Sequence, residues 1–359
     1  MKTLGISIYL TNSTLEEDLA YIEQAGELGF KKIFTCLLSY RVDPETMTQR
    51  LSSICEKANI YGMKVFADVN DEIFKTLSND LKFYKDMGLS GIRLDSGFSI
   101  AETVEMTHNP YGLIVELNAS INDGFINHLA SFQPNFEQLS MCHNFYPMEY
   151  SGLPLQFMND CNENIREFKL PIAAFVTSQS KEAKGPWAEG DIFCSLEQHR
   201  HLPISAQMKH YAQMPLIDEV IVANSPATQE ELEAKVAYNS PKLFFDIEEE
   251  YELTNHDKEV VYNHNHFIRA DISDFMFRST MPRIVYKGQR VEVNNTRDLK
   301  VGDVVILNHK AGRYENEVHI IRQDMPNDAS KNVVGHIVSD ELFLLDYAKA
   351  NQQFTFIKK

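Results

Sequence analysis

From residue 3 to about residue 239 the chain alternates between two patterns. Short apolar or β-branched runs recur: "LGISIYL", "KIFTCLL", "KVFADV", "GIRLD", "GLIVELN", "LSMCHNF", "PIAAFV" and "EVIVANS". Longer amphipathic stretches separate them. The first, "STLEEDLAYIEQAGELGF", places Leu15, Leu19, Ile22 and Ala25 at helical intervals. Ser13 and Glu16 stand in capping-box spacing at its start, and Gly29 closes it. The second, "DPETMTQRLSSICEKANIYG", has Pro44 in its first turn and ends at Gly62. Strands alternating with helices predict βαβ units and a parallel sheet. Eight such units predict an α/β fold of the (β/α)8 TIM-barrel type. Gly5 is isolated and no G-x-G-x-x-G follows the first strand, which leaves a dinucleotide-binding sheet without its fingerprint.

Near residue 240 the pattern changes. "RIVYKGQRVEV", "VGDVVILNH", "HIIRQDMPND", "VVGHIV" and "QFTFIKK" are short runs with turn formers at Lys287-Gly288 and Pro326-Asn327-Asp328. They predict a small β-rich barrel or sandwich. The expected division is a catalytic barrel over 1–239 and a β domain over 240–359, meeting near Asn239 to Pro241 without a Gly/Ser linker.

The formal net charge of -17 argues against nucleic acid and anionic membrane surfaces as partners, since both require a basic face. A small anion remains compatible wherever a few cations or N–H groups gather. The five cysteines are widely spaced with no C-x-x-C pair, so reduced thiols are expected and neither a zinc ribbon nor a disulfide framework is supported. The opening "MKTLGISIYL" lacks the apolar core of a signal peptide, and no stretch reaches membrane-span length. A cytoplasmic protein is the expectation.

In a barrel of this kind the C-terminal strand ends carry the chemistry, so the polar residues that close each apolar run are the candidates. They are Tyr9, Asp68, Arg93 with Asp95, Glu116 with Asn118, and His143, Asn144 and Tyr146, followed by Gln179 and Asn224. Arg93 and Asp95 share one face of a period-2 strand, as do Glu116 and Asn118. Asp95 and Glu116 are the expected catalytic pair, because carboxylates in different surroundings serve as acid and base at neutral pH and as the apparatus of glycoside hydrolysis. A rim ion pair between Arg93 and Asp95 is the competing structural explanation, and a structural role for His143 is as plausible as a catalytic one. The aromatic and amide mixture in "HNFYP" suits a sugar ring.

"SQSKEAKGPWAEG" carries the only tryptophan, Trp187, and is a candidate substrate lid, against the alternative of a disordered surface loop. "LEQHRHLP" holds a His-x-His without a third ligand in pattern. It is expected to be an exposed helix start, and no metal is expected. Ser225 and Thr228 could receive an anion at a helix start. In "FRSTMPR", Arg278, Ser279 and Arg283 are candidate phosphate ligands, against the alternative of solubilising arginines on a strand edge.

Together "GISIYLTNSTLEEDLAYIEQAGELGFKKIFTCLLS", "GIRLDSGF", "NPYGLIVELNAS", "CHNFYPMEYSGL", "AAFVTSQS", "KGPW", "LEQHRHLP" and "RSTMPR" resemble one bacterial family, the 6-phospho-N-acetylmuramidase (MupG-like) glycoside hydrolases. The resemblance spans essentially the whole chain. It implies a TIM barrel followed by a cyclophilin-like β domain. It also implies a cytoplasmic, exo-acting enzyme of peptidoglycan recycling. That enzyme would cleave N-acetylmuramic acid 6-phosphate from N-acetylglucosamine at a β-1,4 bond, without a metal or organic cofactor. The expected partner is that small phosphorylated disaccharide, and a homodimer is compatible with the sequence. Two rivals stay open: a barrel aldolase or epimerase acting on a phosphorylated sugar, and a non-catalytic sugar-phosphate binding protein. A Schiff-base aldolase needs a lysine near a strand end, and none of the eight runs ends in one.

Overall fold

The computed structural model describes residues 2–38, 43–187, 192–238, 240 and 242–359, the side chains of 236 and 237 excepted. The chain divides into two compact units, Met1–Asn239 and Ser240–Lys359.

In the first unit the strands are β1 (Thr3–Ser7), β2 (Lys32–Cys36), β3 (Lys64–Val69), β4 (Gly91–Leu94), β5 (Ile114–Asn118), β6 (Leu139–Cys142), β7 (Ile172–Val176) and β8 (Glu219–Val222). Each pairs in parallel with the next, and β8 returns to β1, closing the barrel. Each strand falls on one of the eight apolar runs, β1 beginning one residue ahead of its run at Thr3. Alternation along the strands sends Ile6, Ile33, Val65, Ile92 and Val115 outward into the core beneath the helices. It sends Phe34, Cys36, Cys142, Phe175 and Ile221 into a separate interior cluster that also holds Tyr9 and Phe193. This is the filled interior that an eight-stranded barrel requires.

Helix α1 (Leu15–Glu27) begins one residue later than the capping pattern predicts: Thr14 and Glu17 form the box, not Ser13 and Glu16. The hydroxyl of Ser13 is engaged by Asp18 at 2.5 Å. Gly29 follows with φ +87°, the left-handed position that favours glycine. Helix α2 (Pro44–Ile60) is capped by Asp43. Helices α3 (Asp71–Leu77), α4 (Leu81–Asp86), α5 (Ile100–Thr107), α6 (Phe125–Ser131), α7 (Leu155–Arg166) and α8 (Ile204–Gln213) complete the layer that positions the barrel loops.

The second unit holds one seven-stranded sheet built from β9 (Leu243–Glu249), β10 (His266–Phe267), β11 (Met276–Ser279), β12 (Asp303–Leu307), β13 (Val318–Ile321), β14 (Lys331–Ile337) and β15 (Gln353–Lys358). The spatial order is β10-β15-β9-β14-β12-β13-β11, antiparallel except for β15 beside β9. Both faces are covered by apolar residues: Phe245, Val304 and Ile320 on one, Leu299, Val305 and Ile321 on the other. "RIVYKGQRVEV" does not supply a strand. Pro282 opens a short helix, Pro282–Val285, and no ladder forms through 286–297, consistent with the preference of proline for a first helical turn.

Candidate active site

The inward faces of β2 to β6 carry the polar residues of the barrel. Cys36 is level with Asp68, Asp68 with Arg93, Arg93 with Glu116, and Glu116 with Ser140. Partners across parallel strands point to the same side of the sheet, so these five side chains enter one interior. Their reach separates them into two groups.

The upper group lies at the barrel mouth. Arg93 is buried, and its Nη1 donates to Asp68 Oδ1 at 2.7 Å and lies 3.6 Å from Asp95 Oδ1. Its Nη2 donates to Asn144 Oδ1. The two aspartate contacts share one nitrogen, so those oxygens are separated by at most the two distances laid end to end, about 6.3 Å. Asp68 is 5% exposed, whereas the Asp95 side chain is 36% exposed. Burial raises the pKa of Asp68 to about 6, and Arg93 offsets part of that rise. The Cys36 thiol donates to the other oxygen, Oδ2, at 3.7 Å. Asp68, Arg93, Asp95 and Asn144 line a hollow of about 150 Å³. Phe34, Phe145, Phe175 and Trp187 form its apolar wall. Phe145 packs edge-on against Phe34 and Phe175 and lies 5.8 Å from the Trp187 ring.

The lower group corrects the expectation for Glu116. Glu116 lies in the middle of β5, not at its end, and is fully buried. Its carboxylate pairs with Lys32, which opens β2 near the opposite end of the barrel. Ser140 Oγ donates to the same oxygen at 3.3 Å, and Lys32 also pairs with Glu219 at 2.8 Å. Burial alone would lower the Lys32 pKa; Glu116 and Glu219 override it and hold the amine cationic. Glu116 therefore balances a buried cation and is not offered to a substrate. The same cationic state disqualifies Lys32 as a Schiff-base nucleophile.

Several other expected substrate contacts are committed to the framework. The Tyr9 hydroxyl donates to the Ala223 carbonyl inside the barrel. His143 is fully buried, with Nε2 2.8 Å from Asn162 Oδ1 and Nδ1 3.2 Å from Ser120 Oγ. Burial lowers its pKa to about 4, so it is neutral and structural. Asn224 braces the backbone of Ser178 through both ends of its amide. Gln179 donates to the Arg200 carbonyl at 3.1 Å. Tyr146 turns its hydroxyl toward Ser120. Asn118 is half-buried, with Oδ1 accepting from Ser120 N at 2.8 Å. Of the loop that carries Trp187, residues 188–191 lie outside the described residues, so the lid reading applies to Trp187 alone, which lines the hollow.

"LEQHRHLP" is not an exposed helix start. Glu197–His199 is a short 3-10 turn with His199 and Arg200 buried. The Glu197 carboxylate takes a bidentate contact from Arg200 at 2.7 and 2.6 Å. It also accepts from the backbone N–H groups of Tyr150 and Gly152 at 2.8 and 2.7 Å. Arg200 in turn donates to the Tyr146 carbonyl at 3.0 Å. Nearby, Ser195 Oγ accepts from Phe175 N at 2.9 Å and donates to the Asn144 carbonyl at 2.8 Å. The segment after β7 thus latches the loop after β6, and with it the amide that holds Arg93. His199 meets His210 at 2.7 Å, while His201 is exposed toward Glu149. The His-x-His pair diverges, and among the described residues no group of three or more His, Cys, Asp or Glu is placed to hold a metal.

In the second unit, Arg278 pairs with Asp271 at 3.2 Å and Arg283 with Glu317 at 2.7 Å. Ser279 lies on the opposite face of β11 from Arg278, and its hydroxyl is 2.9 Å from His266 Nδ1. Strand alternation therefore removes Ser279 from any cradle shared with Arg278.

Sequence reasoning placed Asp68 among the substrate contacts and Phe145 among the aromatics suited to a sugar ring, and did not single out Lys32, Cys36, Phe34 or Phe175. Lys32 did leave a signal: it shares the strand parity of Phe34 and Cys36, so a barrel interior must either neutralise it or bury it unpaired.

A parallel eight-stranded barrel with two aspartates and an arginine at the open mouth defines a TIM-barrel enzyme scaffold. The 6-phospho-N-acetylmuramidase N-terminal model matches residues 4–236 and the corresponding C-terminal model residues 243–357. The chain belongs to the 6-phospho-N-acetylmuramidase family, a family of glycoside hydrolases. It is similar to a solved structure of an uncharacterized B. cereus protein, with 40% identity, 99% of each chain covered and a TM-score of 0.89. It is also similar to a conserved Enterococcus faecalis protein of unknown function, with 25% identity, 99% of this chain and 96% of that chain covered, and a TM-score of 0.79. No curated protein matches the sequence significantly.

Proposed function

We propose that this protein hydrolyses the β-1,4 bond between N-acetylmuramic acid 6-phosphate and N-acetylglucosamine, releasing the two sugars in the recycling of peptidoglycan. The observation that carries the reading is the pair Asp68 and Asp95 on one arginine at the barrel mouth. Both residues lie where barrels of this class perform chemistry, and membership of the 6-phospho-N-acetylmuramidase family supports a glycosidic bond as the target. Asp95 stands at the exposed rim, where an outgoing sugar passes, and acts as the general acid. Asp68 lies deeper against Arg93. With its pKa raised to about 6, it is mostly ionised at neutral pH yet more basic than an ordinary aspartate, as suits a nucleophile or a carboxylate that orients the substrate's own N-acetyl group. The cap of about 6.3 Å on their facing oxygens lies below the roughly 6.5–9.5 Å spacing of inverting pairs. That spacing supports net retention, by direct attack or through the N-acetyl group. The aromatic wall supports the apolar face of a sugar ring.

The remaining features are proposed on the resemblance. They are an exo mode of attack, a cytoplasmic location and a cyclophilin-like relationship for the second unit. Its sheet, buried on both faces, is compatible with that relationship. Among the described residues no helix is long and apolar enough to cross a membrane.

The test is incubation with the phosphorylated and unphosphorylated disaccharides while following free N-acetylglucosamine and the anomeric configuration of the first-formed muramic product by NMR. Release from the phosphorylated substrate with a β anomer formed first supports the proposal. No release from either disaccharide would overturn it.

A further inference from the structure

Asp95 lines not only the mouth hollow but also a second one of about 250 Å³, set between the loops that follow β4 and β5. Phe98, Ile121 and Phe125 give it an apolar surface, with Leu94 and Leu117 at its base. Its polar side chains are those of Asn118, Asp95, Asp123, Ser96 and Thr103. Asn118 uses Oδ1 on the Ser120 N–H, its Nδ2 has no partner among the described residues, and the residue lines both this hollow and a smaller neighbouring one. The described residues that line it include two carboxylates and no lysine or arginine. Ile121 is half exposed, with no core partner that requires it there.

We infer that this second hollow is the binding site for the uncharged, N-acylated sugar on the leaving side of the scissile bond. The inference rests on the functional reading above and adds where the second sugar sits. The carboxylates and the absence of a lining cation disfavour a phosphate or carboxylate ligand. A neutral sugar offers hydroxyl donors to Asp95 and Asp123, an acetamido carbonyl to Asn118 Nδ2, and an apolar ring face and methyl group to Phe98, Ile121 and Phe125. Because Asp95 borders both hollows, a disaccharide spanning them carries its glycosidic oxygen past that carboxyl group.

The experiment measures binding of free N-acetylglucosamine and of N-acetylglucosamine 6-phosphate by ligand-observed NMR to the full chain and to two variants. Ile121→Asp adds a charge on the apolar side, and Ile121→Trp fills the space. Since Ile121 is half exposed, both should fold, which circular dichroism verifies. The expected result is saturable binding of the neutral sugar, at least tenfold weaker binding of the phosphorylated one, and at least tenfold loss of the neutral sugar in both variants. The inference is overturned if the phosphorylated sugar binds equally well, or if both variants bind the neutral sugar as the parent does. Binding as expected without hydrolysis of the disaccharide would sink the catalytic reading and leave this site standing. Hydrolysis without such binding would do the reverse.

Discussion

Asp68 and Glu116 both point into the barrel, from strands on either side of β4, and Arg93 stands level with each of them. Depth and partner give them different roles. Asp68 reaches upward to Arg93 beneath the open mouth, while Glu116 reaches down to Lys32. Replacing Glu116 by Gln leaves a cation in the barrel with only Glu219 to balance it, and breaking such a buried pair costs about 3–5 kcal/mol. Urea unfolding is expected to show that loss. Asp68 predicts a pH dependence of its own. It must be ionised to act, so kcat/KM is half-maximal near pH 6, levels off about a unit above, and falls toward tenfold per pH unit below. A profile that rises as the pH is lowered through that range would contradict the role given to Asp68. The sequence shows strand parity, which puts Arg93 with Asp95 and Glu116 with Asn118 on shared faces but does not say which face is inward. It does not show depth, because the height of a side chain depends on the stagger between strands and on which way a long chain bends. Glu116 was therefore legible as sharing a face with Asn118 and illegible as a structural residue.

At the scale of elements, the site is held by the segment after β7. Ser195 satisfies the Phe175 N–H and the Asn144 carbonyl at once, and Glu197 with Arg200 secures residues 146–152. Ser195→Ala removes the partner of the buried Phe175 N–H and of the part-buried Asn144 carbonyl, and a buried group left unpaired costs about 1–3 kcal/mol. The expected outcome is a lower Tm together with reduced kcat, because Asn144 no longer fixes Arg93. An unchanged kcat with only Tm lowered would confine Ser195 to folding. The eight strands and their helices were legible because periodicity and caps are local. This latch was not, since "LEQHRHLP" looks like a polar helix start until Gly152 and Tyr150 approach it from a loop more than 40 residues earlier. "RIVYKGQRVEV" misled for a related reason: its alternation is strand-like, but no neighbouring strand pairs with it.

Across the whole molecule, each unit has its own apolar core, and each buries neutral histidines. Burial lowers the pKa of His143, His210 and His266 to about 4, and that of His199 well below its ordinary value. In the unfolded chain they titrate near about 6.5. Between about pH 6.5 and 4 the unfolded state binds more protons, so stability falls as the pH falls, by roughly 1.4 kcal/mol per pH unit for each such histidine. Urea midpoints at pH 7 and pH 5 are expected to differ in that direction, and equal midpoints would contradict it. The pH profile of activity is therefore to be taken where circular dichroism shows the folded chain.

The central claim is that Asp68 and Asp95, not Glu116, break a glycosidic bond at the barrel mouth. The most direct measurement is single-turnover hydrolysis of the phosphorylated disaccharide by Asp68→Asn and Asp95→Asn, with binding of the same substrate measured on the same samples. At least about a hundredfold loss of cleavage in each variant, with binding retained, is the predicted result. Cleavage by either variant at the parental rate would contradict the account.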